Sequence, residues 1–173
     1  MINTFSIVRD DALGEADAVS LLEALSRRDV SAAELWQAAR ARAQDAEPHL
    51  NAVVSWCDSP PPANARGAFA GVPTFIKDNE ALIGLPNRQG SRAVSDRPSD
   101  HNSEITALLL DLGLVPVGKS TLPEFGLTAT TEPLLGGPTH NPWALGHSVG
   151  GSSGGSAALV AAGVVPLAHA NDG

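Results

Sequence analysis

The sequence predicts an α/β layered domain, and three observations carry that prediction. Helix-favouring and strand-favouring segments alternate along the chain, the pattern of helices layered on a sheet. A helix, a glycine and a Val/Pro-rich extended run follow one another twice, at residues 105–117 and again at residues 157–168. The chain has 173 residues, 43% of them hydrophobic and 17% charged, enough for one core that needs no disulfides.

In chain order, residues 15–47 favour helix and divide at Ser26-Arg27-Arg28-Asp29. Ser31 and Glu34 have the spacing of a capping box, in which each side chain satisfies a backbone donor left open at a helix start. Pro48 is expected to end that second helix. Residues 51–56 read as a strand, and residues 58–64 as a loop, because Pro60, Pro61 and Pro62 cannot donate to a ladder. Residues 1–60 thus form a helical region feeding a sheet. The run Val72-Pro73-Thr74-Phe75-Ile76 is β-rich and closes on Lys77-Asp78-Asn79, which sets a charged pair at the end of an apolar strand. Ile105, Leu108, Leu109 and Leu112 recur at helical spacing, Gly113 stops the helix, and residues 114–117 return as a short buried strand. The second copy reads as a helix over residues 157–162, Gly163, and an interior strand over residues 164–168.

Charge and composition exclude several classes. Lys plus Arg number 11 against 19 Asp plus Glu, a net charge of -8, with no basic stretch longer than Arg27-Arg28. A polyanion is repelled by that balance, so neither nucleic acid nor an anionic membrane is an expected partner. The N-terminus lacks a basic segment followed by an apolar run, and no apolar segment reaches the roughly 20 residues that span a bilayer. Cys57 stands alone, which argues against a disulfide scaffold or a zinc site and for a reducing, cytoplasmic setting.

Two short motifs offer chemistry that their context denies. Gly113-Leu-Val-Pro-Val-Gly118-Lys119-Ser120 fits the phosphate-loop pattern, but its middle is an apolar strand following a helix where that loop needs an exposed turn before one. Gly150-Gly151-Ser152-Ser153-Gly154 fits the nucleophile elbow G-x-S-x-G, yet Ser148-Val149 is a poor strand and His169 precedes Asp172 in the wrong order. The helix-forming residues directly after it also argue against a flexible linker. His49, His101, His140, His147 and His169 show no ligand spacing, so surface or loop hydrogen-bonding roles are expected, with no metal or other cofactor.

Five motifs taken together are more specific: Gly71-Val-Pro-Thr-Phe-Ile-Lys77-Asp78-Asn79, Gly118-Lys-Ser-Thr-Leu-Pro-Glu-Phe-Gly126, Thr131-Glu-Pro-Leu134, His140-Asn-Pro-Trp143 and Gly150-Gly-Ser-Ser-Gly-Gly-Ser-Ala-Ala158. In order and spacing they resemble the amidase signature family. The stretch at residues 84–94, with Arg88-Gln89-Gly90-Ser91, looks closest to bacterial amidases of linear or cyclic amides. The resemblance implies an α/β fold with a mixed β-sheet sandwiched between helices, of which this chain would be the N-terminal part and residues 61–173 the first part of the core. It also implies cleavage of carboxamide C–N bonds by a Ser-Ser-Lys triad.

Carried over position by position, Lys77 matches the family lysine and Ser152 the bridging serine, which in the family is held by a cis peptide bond. Asn171-Asp172-Gly173 resembles the start of the segment that bears the nucleophilic serine, four residues past its aspartate. That serine therefore has no counterpart in these 173 residues, and Gly173 is the one oxyanion-hole donor expected among them. A neutral Lys77 amine would take a proton relayed through Ser152, for which the two must lie about 2.6 to 3.2 Å apart. Burial against the apolar approach of residues 72–76 would lower its pKa.

The implied partners are a small-molecule amide and a C-terminal remainder of the fold, and the isolated chain is expected to be inactive. Two other readings fit the same residues. One is a non-catalytic fragment or pseudoenzyme that self-associates through the region of residues 164–168. The other is a protein resembling the amidase-like component of an amidotransferase complex, which shares these motifs.

Overall fold

The computed structural model describes residues 3–172. Helix α1 (Ala18–Arg27) begins where the Asp17 carboxylate accepts the Ser20 amide, and ends at Arg28 in the left-handed conformation, φ 62°. Helix α2 (Ala32–Leu50) starts in the capping box that the sequence announces: the Glu34 amide donates to Ser31 Oγ at 3.2 Å and the Ser31 amide to Glu34 Oε2 at 2.8 Å. Pro48 does not end this helix. Its fixed φ suits a helix, and its missing N–H forgoes one bond near the C-terminus. The stop comes at Asn51, φ 49°, a residue type that tolerates the left-handed region. For the same reason strand β1 is Val53–Trp56 and leaves out residues 51 and 52, whose place is fixed instead by Glu47 Oε2, which accepts from the amides of Ala52 and Val53.

Strand β2 (Pro73–Lys77), helix α3 (Glu104–Asp111) and strand β3 (Val115–Ser120) follow. The sheet has the order β1-β3-β2, with β1 antiparallel and β2 parallel to the central β3. It is the mixed sheet that the sequence implied, and every residue of β2 and β3 is buried. The apparent phosphate-loop string starts just past α3 at Gly113, φ 90°, and runs on as β3 itself. In α3 the inward positions are Thr106 and Leu109, while Ile105 and Leu108 are 43% and 55% exposed. Strands β4 (His140–Asn141) and β5 (Ala144–Ser148) make a small hairpin, and helix α4 (Gly154–Ala161) follows.

Helices α2 and α4 pack on β2 and β3 and touch each other, which places them on one face of the sheet. On that face the Trp36 indole donates to the Pro116 carbonyl at 2.9 Å, and the Arg40 guanidinium lies 4.5 Å over the Trp56 ring. Trp56 meets Phe75 edge-on across β3, ring centres 6.4 Å apart.

Residues 164–168 do not form the expected strand. Pro166 has no N–H for a ladder, and the segment runs beside β2 with side-chain and end contacts alone: Thr74 Oγ1 donates to the Leu167 carbonyl at 3.2 Å and the His169 amide to the Phe75 carbonyl at 2.9 Å. Val164 and Val165 are nevertheless covered within the chain, at 0% and 2% exposure, so the association expected from an uncovered strand loses its premise here.

One side chain ties the two ends of the chain to α2. Arg42, only 3% exposed, donates to both Asp11 oxygens (2.8 and 2.5 Å) and to the carbonyls of Arg9, Gly14 and Gly163. Partial burial pulls the Asp11 carboxyl upward, but the bonds from Arg42 and the Leu13 amide outweigh it and bring it down to about 2. A carboxyl depressed in the folded state adds stability above its unfolded value, and that contribution fades as pH falls through the folded value. With solvent screening allowed for, the Asp11 share is about 1 to 2 kcal/mol, lost between about pH 4 and pH 2. Denaturant unfolding of the wild type and Asp11→Asn is therefore expected to differ most above pH 4 and to converge toward pH 2. A gap that stays constant across that range would contradict the assignment.

Candidate active site

Lys77 closes β2 beside Ser120, its register partner on β3, and is 1% exposed. Ser120 Oγ meets Ser156 Oγ of α4 at 2.7 Å, and Ser156 donates on to the His169 carbonyl at 2.7 Å, so the Lys77 face of the sheet is the one that carries α4. Lys77 and Asp78, adjacent in sequence, turn opposite ways as strand neighbours do. Asp78 pairs with Lys119 instead, Oδ1 to Nζ 2.6 Å, with side chains 2% and 0% exposed. The strand-end charged pair of the sequence is thus split between two separate sites.

The glycines of the Gly150–Gly155 run have a steric cause. Thr131 Oγ1 donates to the Gly150 carbonyl at 2.7 Å, and a Cβ on Gly154 would sit 2.1 Å from that same Thr131 oxygen. One on Gly155 would come 2.3 Å from Thr121 Oγ1. Only residues without a side chain let the loop lie this close to residues 121 and 131. Thr121 also meets Thr139 at 2.7 Å, Ser91 donates to Glu124 at 2.6 Å, and the Phe125 amide donates to the Gln89 carbonyl at 2.8 Å. The motifs dispersed along the sequence are therefore neighbours in space, gathered at the end of β2 and β3.

This packing sets the Gly151–Ser152 peptide, which is cis, against the lysine. Lys77 Nζ lies 2.7 Å from Ser152 Oγ, across 75 positions of sequence. The two residues singled out from the sequence meet within hydrogen-bond reach. Gly173, the third, lies outside the described residues.

Three contributors carry no signal of their own in the sequence. Asn171 accepts from Lys77 Nζ twice, at 2.8 Å through its side-chain oxygen and at 3.1 Å through its carbonyl. Ser153 donates to the Asn171 carbonyl at 3.1 Å and accepts the Asn171 amide at 3.4 Å. His169, expected in a loop or surface role, is half-buried, and its Nδ1 receives the Lys77 backbone amide at 3.4 Å. Asn171 stands in the Asn-Asp-Gly segment that resembles the family's nucleophile-bearing stretch, so its neighbourhood was legible although its contact was not. His140 bonds the Leu145 carbonyl from β4, and His49 stacks on Phe5 from the exposed side of α2, so both keep hydrogen-bonding or surface roles but neither lies in a loop. Among the described residues no group of three or more His, Cys, Asp or Glu side chains is placed to hold a metal ion.

The electrostatics separate the two buried lysines. Burial pulls Lys77 below its ordinary pKa of 10.5, and the charge of Asp172 opposes this only in part. Burial likewise lowers Lys119 and raises Asp78, each opposed by the other's charge. Lys119 has a carboxylate, the Pro86 carbonyl (2.7 Å) and Asn87 Oδ1 (3.2 Å) for its three protons, a set made for an ammonium. The hydrogen-bonded neighbours of Lys77 Nζ at Ser152 and Asn171 are neutral. Burial also lowers His169; Glu80 pulls it back up, and Lys77 adds to the lowering.

Comparison with known proteins gives the same picture at the level of the whole chain. The amidase family model matches residues 20–173. AmiC of Mycobacterium tuberculosis, which bears an amidase name, is 47% identical over 170 residues, covering 95% of this chain and 36% of AmiC. The structure of 6-aminohexanoate cyclic dimer hydrolase complexed with substrate superimposes with a TM-score of 0.82 at 38% identity, over 91% of this chain and 34% of that one. A glutamyl-tRNA(Gln) amidotransferase component from Thermotoga maritima does so at 0.79 and 32%, over 93% and 34%. The chain thus spans about a third of the length of the proteins it matches. A family match over nearly all of its residues, carried on a shared fold, establishes that the chain belongs to the amidase family.

Proposed function

We propose that this chain carries the proton-relay half of a Ser-Ser-Lys amidohydrolase that cleaves carboxamide C–N bonds. The observation that supports it most is the 2.7 Å contact between Lys77 Nζ and Ser152 Oγ at a buried lysine. A neutral amine has two N–H donors and one lone pair. With its N–H groups on the two Asn171 oxygens, the lone pair faces Ser152, whose hydroxyl then donates to it. As the attacking serine adds to the amide carbonyl, its proton passes to Ser152 Oγ while the Ser152 proton moves to Lys77. Return of a proton along the same path lets the C–N bond break and the nitrogen leave as a free amine, and a water molecule, deprotonated by the same relay, then hydrolyses the acyl-serine to the carboxylic acid and the free serine. The attacking serine matches a position four residues after Asp172, and the backbone amides from Gly173 onward are the proposed donors to the oxyanion.

The substrate class we propose is a small linear or cyclic amide, in line with the similarity to the cyclic dimer hydrolase. A second reading, favoured by the similarity to the amidotransferase component, is amide transfer within a complex, and glutamine-dependent transfer with a stable partner would be its signature. A non-catalytic chain that self-associates is the remaining reading; its support is the exposure of Leu127, Leu134 and Trp143, at 80%, 73% and 69%.

Assay of an aryl amide is expected to show no turnover with the 173-residue chain alone. A fusion of this chain to the remaining two thirds of AmiC is expected to hydrolyse it, and Lys77→Ala or Ser152→Ala in that fusion to lower kcat by about 10²-fold or more. Turnover by the 173 residues alone, abolished by Ser152→Ala, would place the nucleophile at Ser152 and overturn the relay.

The pH dependence follows from the direction of the Lys77 shift. The relay needs the neutral amine, so kcat/KM of the fusion should rise with pH along a limb whose midpoint lies below 10.5. A pH–rate profile in which Lys77→Ala keeps the same limb would assign it to another group.

A further inference from the structure

We infer that Asn171 is a positioning residue for Lys77: its side-chain oxygen and its carbonyl fix two directions of the amine so that the third points at Ser152 Oγ. The inference rests on the Ser-Ser-Lys reading above and goes beyond it, since neither the family resemblance nor the sequence pattern gives Asn171 a role.

The geometry around Nζ carries it. A lysine amine rotates freely about its last bond, and a lone pair that samples every direction is a poor proton acceptor for one fixed hydroxyl. Among the described residues, the hydrogen-bond partners of Nζ lie at 2.7 Å (Ser152), 2.8 Å (Asn171 Oδ1) and 3.1 Å (Asn171 carbonyl). Both Asn171 atoms are oxygens that accept and cannot donate, so each takes an N–H and neither competes for the lone pair. Among the described hydrogen-bond partners, Ser152, which both donates and accepts, takes the remaining position.

Asn171 is itself held. Ser153, next to Ser152, donates to the Asn171 carbonyl and accepts its amide. The contacts close a ring from Ser152 through Lys77, Asn171 and Ser153 back along the chain to Ser152. The choice of an amide also has a physical reason. A carboxylate of the same shape at position 171 would orient the amine equally well and would hold it charged, which defeats a base. Asn171 orients without charging.

The sequence makes the test unusually direct, because Lys77 and Lys119 are the only two lysines of the chain. In the 173-residue chain with 13C at lysine Cε, two resonances titrate, and Lys119, on the opposite face, serves as the internal control. Asn171→Asp is expected to raise the Lys77 midpoint by about one unit while leaving Lys119 in place. Asn171→Leu, which removes the side-chain acceptor, is expected to lower it, and in the AmiC fusion to cut kcat by about 10-fold with KM little changed. Asn171 is solvent-exposed, so both variants should keep the amide spectrum of the folded chain. A Lys77 midpoint that is depressed in the wild type and unmoved in both variants would overturn the role of Asn171 and leave the relay standing. A wild-type Lys77 that titrates at its ordinary 10.5 would overturn the relay reading, and the inference with it.

Discussion

A lysine amine held out of water among neutral hydrogen-bond partners is the constraint on which the proposed relay depends. Taking an ammonium from water into a protein interior is costly, and the group responds by losing its proton or by finding a counter-charge. The two lysines differ in their partners. Lys119 has Asp78 at 2.6 Å on the face of the sheet away from α4, while Lys77 bonds a serine and an asparagine. The other nine basic residues of the 11 are arginines, which cannot give up a proton at any ordinary pH. Lysine is thus confined to the two interior positions, and at Lys77 burial lowers the pKa with no carboxylate among the hydrogen-bond partners that hold the amine at Ser152 and Asn171.

The rest of the structure holds that amine in place. Lys77 is fixed by β2, whose parallel pairing with β3 sets it beside Ser120, and Ser152 is fixed by a loop that only glycines allow to lie against Thr121 and Thr131. These supports come from segments far apart in sequence, so their relative positions depend on the core. Arg42 contributes there, joining residues 9–14, α2 and the turn after α4 through five acceptor atoms. Its interior position is tolerable because nearly every donor of the guanidinium has a partner.

Features set by neighbouring residues were legible from the sequence. The capping box at Ser31 and Glu34, the break at residues 26–29, the β2 strand ending at Lys77 and the glycine stop at Gly113 each depend on local backbone chemistry, and each is present. The Lys77–Ser152 contact was legible for another reason, the resemblance of five motifs to a family. Two local readings gave way to other local chemistry: Pro48 has the composition of a helix stop, but Asn51 ends the helix, and residues 164–168 have the composition of a strand, but Pro166 cannot donate to a ladder beside β2. Where a distant partner decides the outcome, sequence pattern was silent. Lys119 lies within the coincidental phosphate-loop string, and nothing local shows that it closes a buried ion pair with Asp78. Asn171 and Ser153 were hidden likewise, since their contacts reach Lys77 and the serine loop across 94 and 18 positions.

One distance decides whether Lys77 can serve as the base of a relay. A crystal structure of the 173-residue chain, at a resolution that orders side-chain amines and determined at a pH near 8, measures it directly. The expected result is Lys77 Nζ within about 3 Å of Ser152 Oγ with the Asn171 oxygens on its other sides, as hydrogen-bond geometry requires. A well-ordered Lys77 turned away from Ser152, with the serine loop packed elsewhere, would contradict it.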